Sequence, residues 1–180
     1  VGYATGAVVS LLLYFSISER IQSYLSWTYG SFGTVTWSQM QVLAPVVLAG
    51  LAAALALAKP LNALLLGETY ARTMGVHVSR ARGLIIASAA VLAGAVTAFC
   101  GPIGFLGIAV PHLARALFNT ADHRLLVPAC TLLGGLVALL ADLVARMPGT
   151  DVVLPLNAIM ALIGAPVVAW VILRRSRITG

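Results

Sequence analysis

Charge is what this sequence has least of. Charged residues make up 9% of the 180, and only five are acids, while 61% are hydrophobic and the mean hydropathy is +1.01. A soluble domain carries roughly a quarter charged residues, so the shortfall excludes a soluble globular protein and defines an integral membrane protein. Five acids also leave little material for general acid–base chemistry. The GxxxxGK[ST] phosphate loop, the HExxH zinc motif and the GxSxG elbow are all missing, so the chain reads as no enzyme. If ATP drives anything here, the ATPase is another chain. Cysteine is scarce too: Cys100 and Cys130 both lie in apolar segments without CxxC spacing and read as buried thiols, with no metal set. The basic surplus of +6 has no long cluster, which speaks for loop charge of a membrane protein and against a nucleic-acid partner. Val1 opens the sequence inside an apolar run with no charged region before it. No signal peptide is visible, and the chain reads as the C-terminal part of something longer.

What is present is long apolar segments. A spanning helix needs about 20 mostly apolar residues, and six stretches approach that: 1–18, 40–58, 84–100, 102–118, 125–145 and 152–173. Gly2 and Gly6 form a GxxxG pair in the first, a spacing that allows close helix approach. Residues 19–38 hold Glu19, Arg20, Tyr24, Trp27, Tyr29 and Trp37, the composition of a membrane interface, with room for a short helix. Lys59-Pro60 ends the second span, and residues 59–83 form a loop of mixed character. The turn MPGTD at 147–151 separates the last two spans. No linker divides the chain, so 1–180 reads as a single all-α transmembrane bundle.

Sidedness follows from counting. Alternate connections gather Lys59, Arg72, Arg80, Arg82, Arg115, Arg124, Arg174, Arg175 and Arg177 on one side, nine in all, against Arg20 and Arg146 on the other. That bias places 59–83, 115–124 and the C-terminus in the cytoplasm, with 19–38 and 147–151 outside.

Two stretches hold most of the polar groups. In the loop 59–83, Leu61, Leu64 and Leu65 recur at helical spacing before Gly67 interrupts. Glu68 to Arg72 start a second short helix that Gly75 ends as a cap. Leu64, Leu65, Leu66, Tyr70, Ala71 and Met74 supply an apolar ridge, and Glu68 and Arg72 stand at i,i+4. Such a knob reads either as an ordered loop or as a docking element for a partner. The second stretch, 101–124, starts with Gly101-Pro102, is spaced by Gly104 and Gly107, passes Pro111-His112, and ends in Arg115, Asp122, His123 and Arg124. Its glycines fit close helix packing, and the break fits irregular backbone beside a pore. Asp122 fits a helix cap for the fifth span, with His112, Arg115 and His123 bonding to that turn or to nearby loops. His112 and Asp142 invite a proton-relay reading. They lie near opposite ends of neighbouring spans, however, and Asp142 stands i,i+4 from Arg146, where a local ion pair is the simpler account.

The stretch 101–124 resembles the FecCD-type permease family, the membrane subunits of ABC importers for ferric siderophores, haem and cobalamin. Four further segments are similar to that family in the same order: Trp27-x-x-Gly30-Ser31-Phe32, Leu66-Gly67-Glu68-x-x-Ala71-Arg72-x-x-Gly75, Ala141 to Arg146, and Leu154-Pro155 followed by Gly164-Ala165-Pro166. The resemblance implies about six spans of a roughly ten-span type II permease, in a bacterial cytoplasmic (inner) membrane, with the remaining spans before Val1. It implies docking of an ATP-binding subunit on Leu64, Leu65, Gly67, Glu68, Ala71, Arg72 and Gly75, with ATP and Mg held by that partner and no cofactor on this chain. It assigns gate packing to Gly101, Pro102, Gly104, Gly107, Pro111 and His112, and support of the cytoplasmic turn to Arg115, Asp122, His123 and Arg124. Arg146 is placed where a periplasmic or lipoprotein binding protein docks. A second permease subunit completes the pore, and an iron chelate is the expected cargo, with haem or cobalamin as alternatives. Asn157 replaces a small residue of the family pattern and reads as a helix–helix hydrogen bond or a pathway group. A proton-coupled secondary transporter is the rival from another class.

Overall fold

The computed structural model describes residues 2–147, 154–162 and 164–166. Along them run α1 (Gly2–Tyr14), α2 (Ser18–Tyr29), α3 (Trp37–Ala56), α4 (Ala58–Leu65), α5 (Glu68–Thr73), α6 (Val78–Cys100), α7 (Leu106–Phe118) and α8 (His123–Ala145). A further short apolar helix covers Leu156–Pro166. No strand occurs among the described residues.

Among the described residues three helices are long and apolar enough to cross a membrane: α3, α6 and α8, with 20, 23 and 23 residues. At 1.5 Å per residue they reach about 30 to 35 Å, the thickness of a hydrocarbon core. Their burial is what a lipid solvent predicts. Leu132, Leu139 and Leu143 of α8 point outward and are largely exposed, and no polar or charged residue is buried among the described residues. Where helices touch, small residues set the distance. α3 packs along α6, and Leu92 seats over Gly50, where an added Cβ would fall 2.5 Å from the leucine. α7 packs along α8 through Ala114, Leu126 and Ala129.

Local chemistry sets the boundaries, and several differ from the pattern read in the sequence. The first stretch is broken: α1 has 13 residues, about 20 Å, and a bend at 15–17 leads into α2. Nothing packs against Gly2 or Gly6 within 4 Å, so the GxxxG pair brings no helix close within the described residues. α3 begins three residues before the second span was expected, at Trp37. Thr36 and Gln39 form a reciprocal capping box there. Lys59-Pro60 ends nothing. It lies in the first turn of α4, where a missing amide is harmless. α6 begins at Val78, not 84, so Arg80 and Arg82 belong to its first turns and the loop between spans ends near His77.

The largest correction concerns 102–118. Residues 101–105 are not helical, and α7 keeps only 13 residues, too short to span alone. Pro102 has no amide to donate, and Phe105 is the centre of a tight turn (φ +60, ψ −38) in which the Leu106 amide bonds to the Gly104 carbonyl at 2.6 Å. This γ-turn is of the rare, strained hand. At 164–166 the opposite holds: the break expected at Gly164-Ala165-Pro166 is helical. The turn at 148–151 and the arginines 174, 175 and 177 lie outside the described residues.

The bundle has two differently tied ends. At one, the loop 30–36 meets the last turns of α6 and α8: the Ser31 amide bonds to the Cys100 carbonyl at 2.9 Å, and Gly33 lies under the Arg146 guanidinium. At the other, α4 meets the start of α8, and α5 packs against α4 and α6. Gly101 is the tightest point of the first end, with φ +82 and room for no Cβ, which would fall 2.2 Å from the Trp27 carbonyl. Gly101→Ala is therefore expected to lower stability by about 2 kcal/mol or more. Gly94→Ala, in open space on α6, is expected to be neutral or stabilising by up to about 1 kcal/mol. Denaturant titration of the two full-length variants in micelles checks the contrast, and equal stabilities would refute it.

Candidate functional site

At the α4–α5 end the backbone builds a knob. α4 stops at Leu65, Gly67 turns the chain at φ +101, and the six residues of α5 follow before Gly75 turns it again at φ +81. An L-residue is disfavoured at both angles, so the glycines fix two short helices at an angle instead of one long one. Ala63, Ala71 and Val78 pin the inner side, backed by Leu64 and Val76. The outer side carries Leu65, Leu66, Tyr70 and Met74, between 55% and 65% exposed. Glu68 does not pair with Arg72. It forms its ion pair and hydrogen bond with Arg82 of α6, which ties α5 down across the turn. That leaves Arg72 on the exposed rim of an open groove running from Arg72 through Gly75, Val76, His77, Val78 and Ser79 to Arg80.

Behind the knob a polar cluster locks α4 to the start of α8. Asn62 donates to Asp122 Oδ1, and Asn62 Oδ1 receives the His123 amide at 2.8 Å and lies 2.8 Å from His123 Nδ1. Asp122 caps α8 by accepting the Arg124 amide at 2.9 Å, and its own amide bonds to Thr120 Oγ1 at 3.1 Å. The Arg124 amide, with the Asn62 side chain second, holds the Asp122 carboxyl below its usual range. His112 takes no part in this turn; its Nδ1 lies 2.8 Å from the Ile108 carbonyl of its own helix. Pro111 withholds an amide from the Gly107 carbonyl one turn earlier.

At the opposite end stands a second cluster, centred on Asn157, which read in the sequence as either a helix–helix hydrogen bond or a pathway group. Asn157 accepts the Gly104 amide at 3.1 Å, and its Nδ2 donates to the Thr28 carbonyl at 2.9 Å and the Pro102 carbonyl at 2.7 Å. One amide thus joins the end of α2, the 101–105 turn and the last helix. Gly104 and Gly107 face open space, where an added Cβ meets nothing within 4 Å. An open cleft lined by Thr97, Pro102, Ile103, Gly104, Phe105 and Asn157 lies beside them. Arg146 pairs with Asp142 at 2.9 Å and covers Gly33. Cys100 and Cys130 are free thiols, and among the described residues no three His, Cys, Asp or Glu gather as a metal set.

The structure thus brings Asp122, His123 and Arg124 together, sets Leu65, Gly67, Glu68, Ala71, Arg72 and Gly75 on one knob, and leaves Arg146 at the far end. Sequence reading missed Asn62 and Gly33. Asn62 stands in an otherwise apolar face of α4, a polar residue in want of a partner, and that was the available signal.

Long apolar helices, strain at a helix break and polar groups confined to the two ends define a polytopic α-helical membrane protein. A model described as the FecCD transport family matches residues 1–174. The chain belongs to the FecCD transport family. It is 38% identical over 183 residues to the vitamin B12 import system permease protein BtuC of Salmonella schwarzengrund and to that of Salmonella typhimurium, covering 98% of this chain and 55% of each relative. A solved metal-chelate type ABC transporter in an inward-facing conformation superposes with a TM-score of 0.87 at 35% identity, over 94% of this chain and 55% of that one. The chain therefore spans about half the length of the curated relatives it matches.

The Asn62–Asp122 lock has a pH signature. Folding lowers the Asp122 pKa, so the stability this carboxylate lends is present above its ordinary unfolded value and is lost as pH falls through the lowered one. Asn62→Ala and Asp122→Ala are each expected to lower the Tm at neutral pH, and the double variant to lose less than the sum. The penalty of Asp122→Ala is expected to shrink on acidification below the carboxylate range. Additive losses, or a penalty constant with pH, would contradict the lock.

Proposed function

We propose that this chain is part of the permease subunit of an ABC importer, and that the α4–α5 knob receives the ATP-binding subunit. The observation that carries the reading is the knob itself: a rigid, glycine-bounded pair of helices with an exposed apolar ridge and a basic rim, on a chain of the FecCD family. ATP and Mg belong to the partner, which hydrolyses the nucleotide. A second permease subunit and a substrate-binding protein complete the assembly. The charge bias puts the knob and the C-terminus in the cytoplasm of a bacterial inner-membrane protein, with the Asn157 and Arg146 end outside. Closing of the ATPase pair pushes on α4 and α5, and the Asn62–Asp122 lock passes that displacement to α8 and α7. Access to the cavity then alternates.

The cargo is a bulky metal chelate. The sequence resemblance favoured a ferric siderophore. The relatives at 38% identity are named for vitamin B12 import, which makes cobalamin the first cargo to test, ahead of iron chelates and haem. Nothing joins the two groups of the proton-coupled reading among the described residues: His112 Nδ1 lies against the Ile108 carbonyl of its own helix, and Asp142 pairs locally with Arg146.

Arg72→Glu leaves the Glu68–Arg82 pair in place while reversing charge on the rim. In proteoliposomes of the full-length protein with its ATPase, the variant is expected to keep hydrolysing ATP while uptake of labelled cobalamin or ferric siderophore falls about tenfold or more. Unchanged coupling would remove the docking role. Arg146→Glu is expected to weaken binding of the substrate-binding protein, whereas Asp142→Ala, which breaks only the local pair, is expected to keep it. Equal affinity in wild type and Arg146→Glu would refute that assignment.

A further inference from the structure

The first end of the bundle contains a helix with little lateral support from the described residues. Among these, none of α2's residues is buried, and no helix packs along it. Its ties to the bundle lie at its C-terminal end: the Thr28 carbonyl on Asn157, the Trp27 carbonyl against Gly101, and the Ser31 amide on Cys100. The 101–105 turn is also a structure that does not hold itself. A bulky residue at φ +60 is strained and persists only where its surroundings fix it. Those surroundings are Asn157, which binds Pro102 and Gly104 on the approach to the turn, and Gly164, whose missing side chain leaves room for the Phe105 Cβ.

Both dependences meet at Asn157. We propose that Asn157 is a positioning residue that couples α2 to α7. Its carboxamide holds the end of α2 and the strained turn at the head of α7 in one register, so displacement of either is transmitted to the other. The amide orientation follows from its partners, because two carbonyls require the NH2 and one amide requires the oxygen. Losing it removes the one group that holds the Gly104 amide and the Thr28 and Pro102 carbonyls together beside the open cleft of Thr97, Ile103 and Phe105. Phe105 then relaxes and α2 swings free. An ordinary helix–helix hydrogen bond would join two elements; this one joins three.

The test reads geometry and needs no transport activity. Spin labels are placed at exposed Gln22 on α2, Ile108 on α7, Leu136 on α8 and Leu65 on α4, in pairs with Leu136 as reference. The host is the full-length protein in lipid nanodiscs with Cys100 and Cys130 replaced by alanine. Wild type is expected to give narrow Gln22–Leu136 and Ile108–Leu136 distance distributions at neutral and acidic pH. Asn157→Leu is expected to broaden both at every pH. Asn157→Asp keeps the acceptor for Gly104 but sets a carboxylate against two carbonyls, so at neutral pH the Gln22–Leu136 distribution broadens. On acidification the protonated carboxyl regains one donor and the distribution narrows again. No residue lining the cleft titrates, so this response belongs to the introduced carboxyl. The Leu65–Leu136 distance reports the folded bundle and is expected to stay constant. Should leucine disturb it, the pH response of Asn157→Asp, measured on one sample, still decides. Narrow, wild-type distributions in both variants at neutral pH, or an Asn157→Asp distribution that ignores pH, would overturn the proposal.

Discussion

In a lipid-solvated bundle every backbone polar group away from water needs a partner inside the protein, and this constraint shapes the chain more than hydrophobic burial does. Within helices the demand is met automatically. It becomes acute at 101–105, where Pro102 and the strained Phe105 interrupt the chain between α6 and α7. Asn157 satisfies two groups of that stretch and a third at the end of α2. The interior can afford an irregular segment there because one side chain answers for it.

The two ends use the same device for different purposes. Asn62 at one and Asn157 at the other are the neutral amides that hold non-adjacent segments together, each offering a donor and an acceptor from one rigid group. Charge is used differently. Glu68–Arg82 and Asp142–Arg146 brace helix ends at the surface, where ion pairs contribute little stability and serve to orient. Between these ends the helices touch largely through alanine and glycine, which gives short, close-packed contacts.

Elements whose cause is local were legible in the sequence. Gly67 and Gly75 announced a split knob because backbone angle depends on the residue itself, and Asp122 announced a cap for the same reason. The start of α6 was misplaced because Arg80 and Arg82 read as loop charge, although arginine is a good helix former and Arg82 finds Glu68 across the turn. The 102–118 span was overlong because proline at a helix start is ordinary. Nothing in the sequence marks Phe105 as the residue that adopts a positive φ. Asn157 was legible as a hydrogen-bonding or pathway group but its partners were not, and Asn62 was not legible at all: the partners lie 53 to 129 residues away, and only the folded chain brings them together.

Direct contact between the knob and an ATP-binding subunit is the central claim, and cysteine cross-linking reads it most simply. In the full-length protein freed of Cys100 and Cys130, single cysteines at Leu66 or Met74 on the exposed ridge are paired with single cysteines on the ATPase surface. A position on the outer face of α8, Leu132, serves as the control. The account predicts efficient cross-links from Leu66 and Met74, altered when ATP binds, and none from Leu132. No cross-link from the ridge, or cross-links as strong from Leu132, would contradict it.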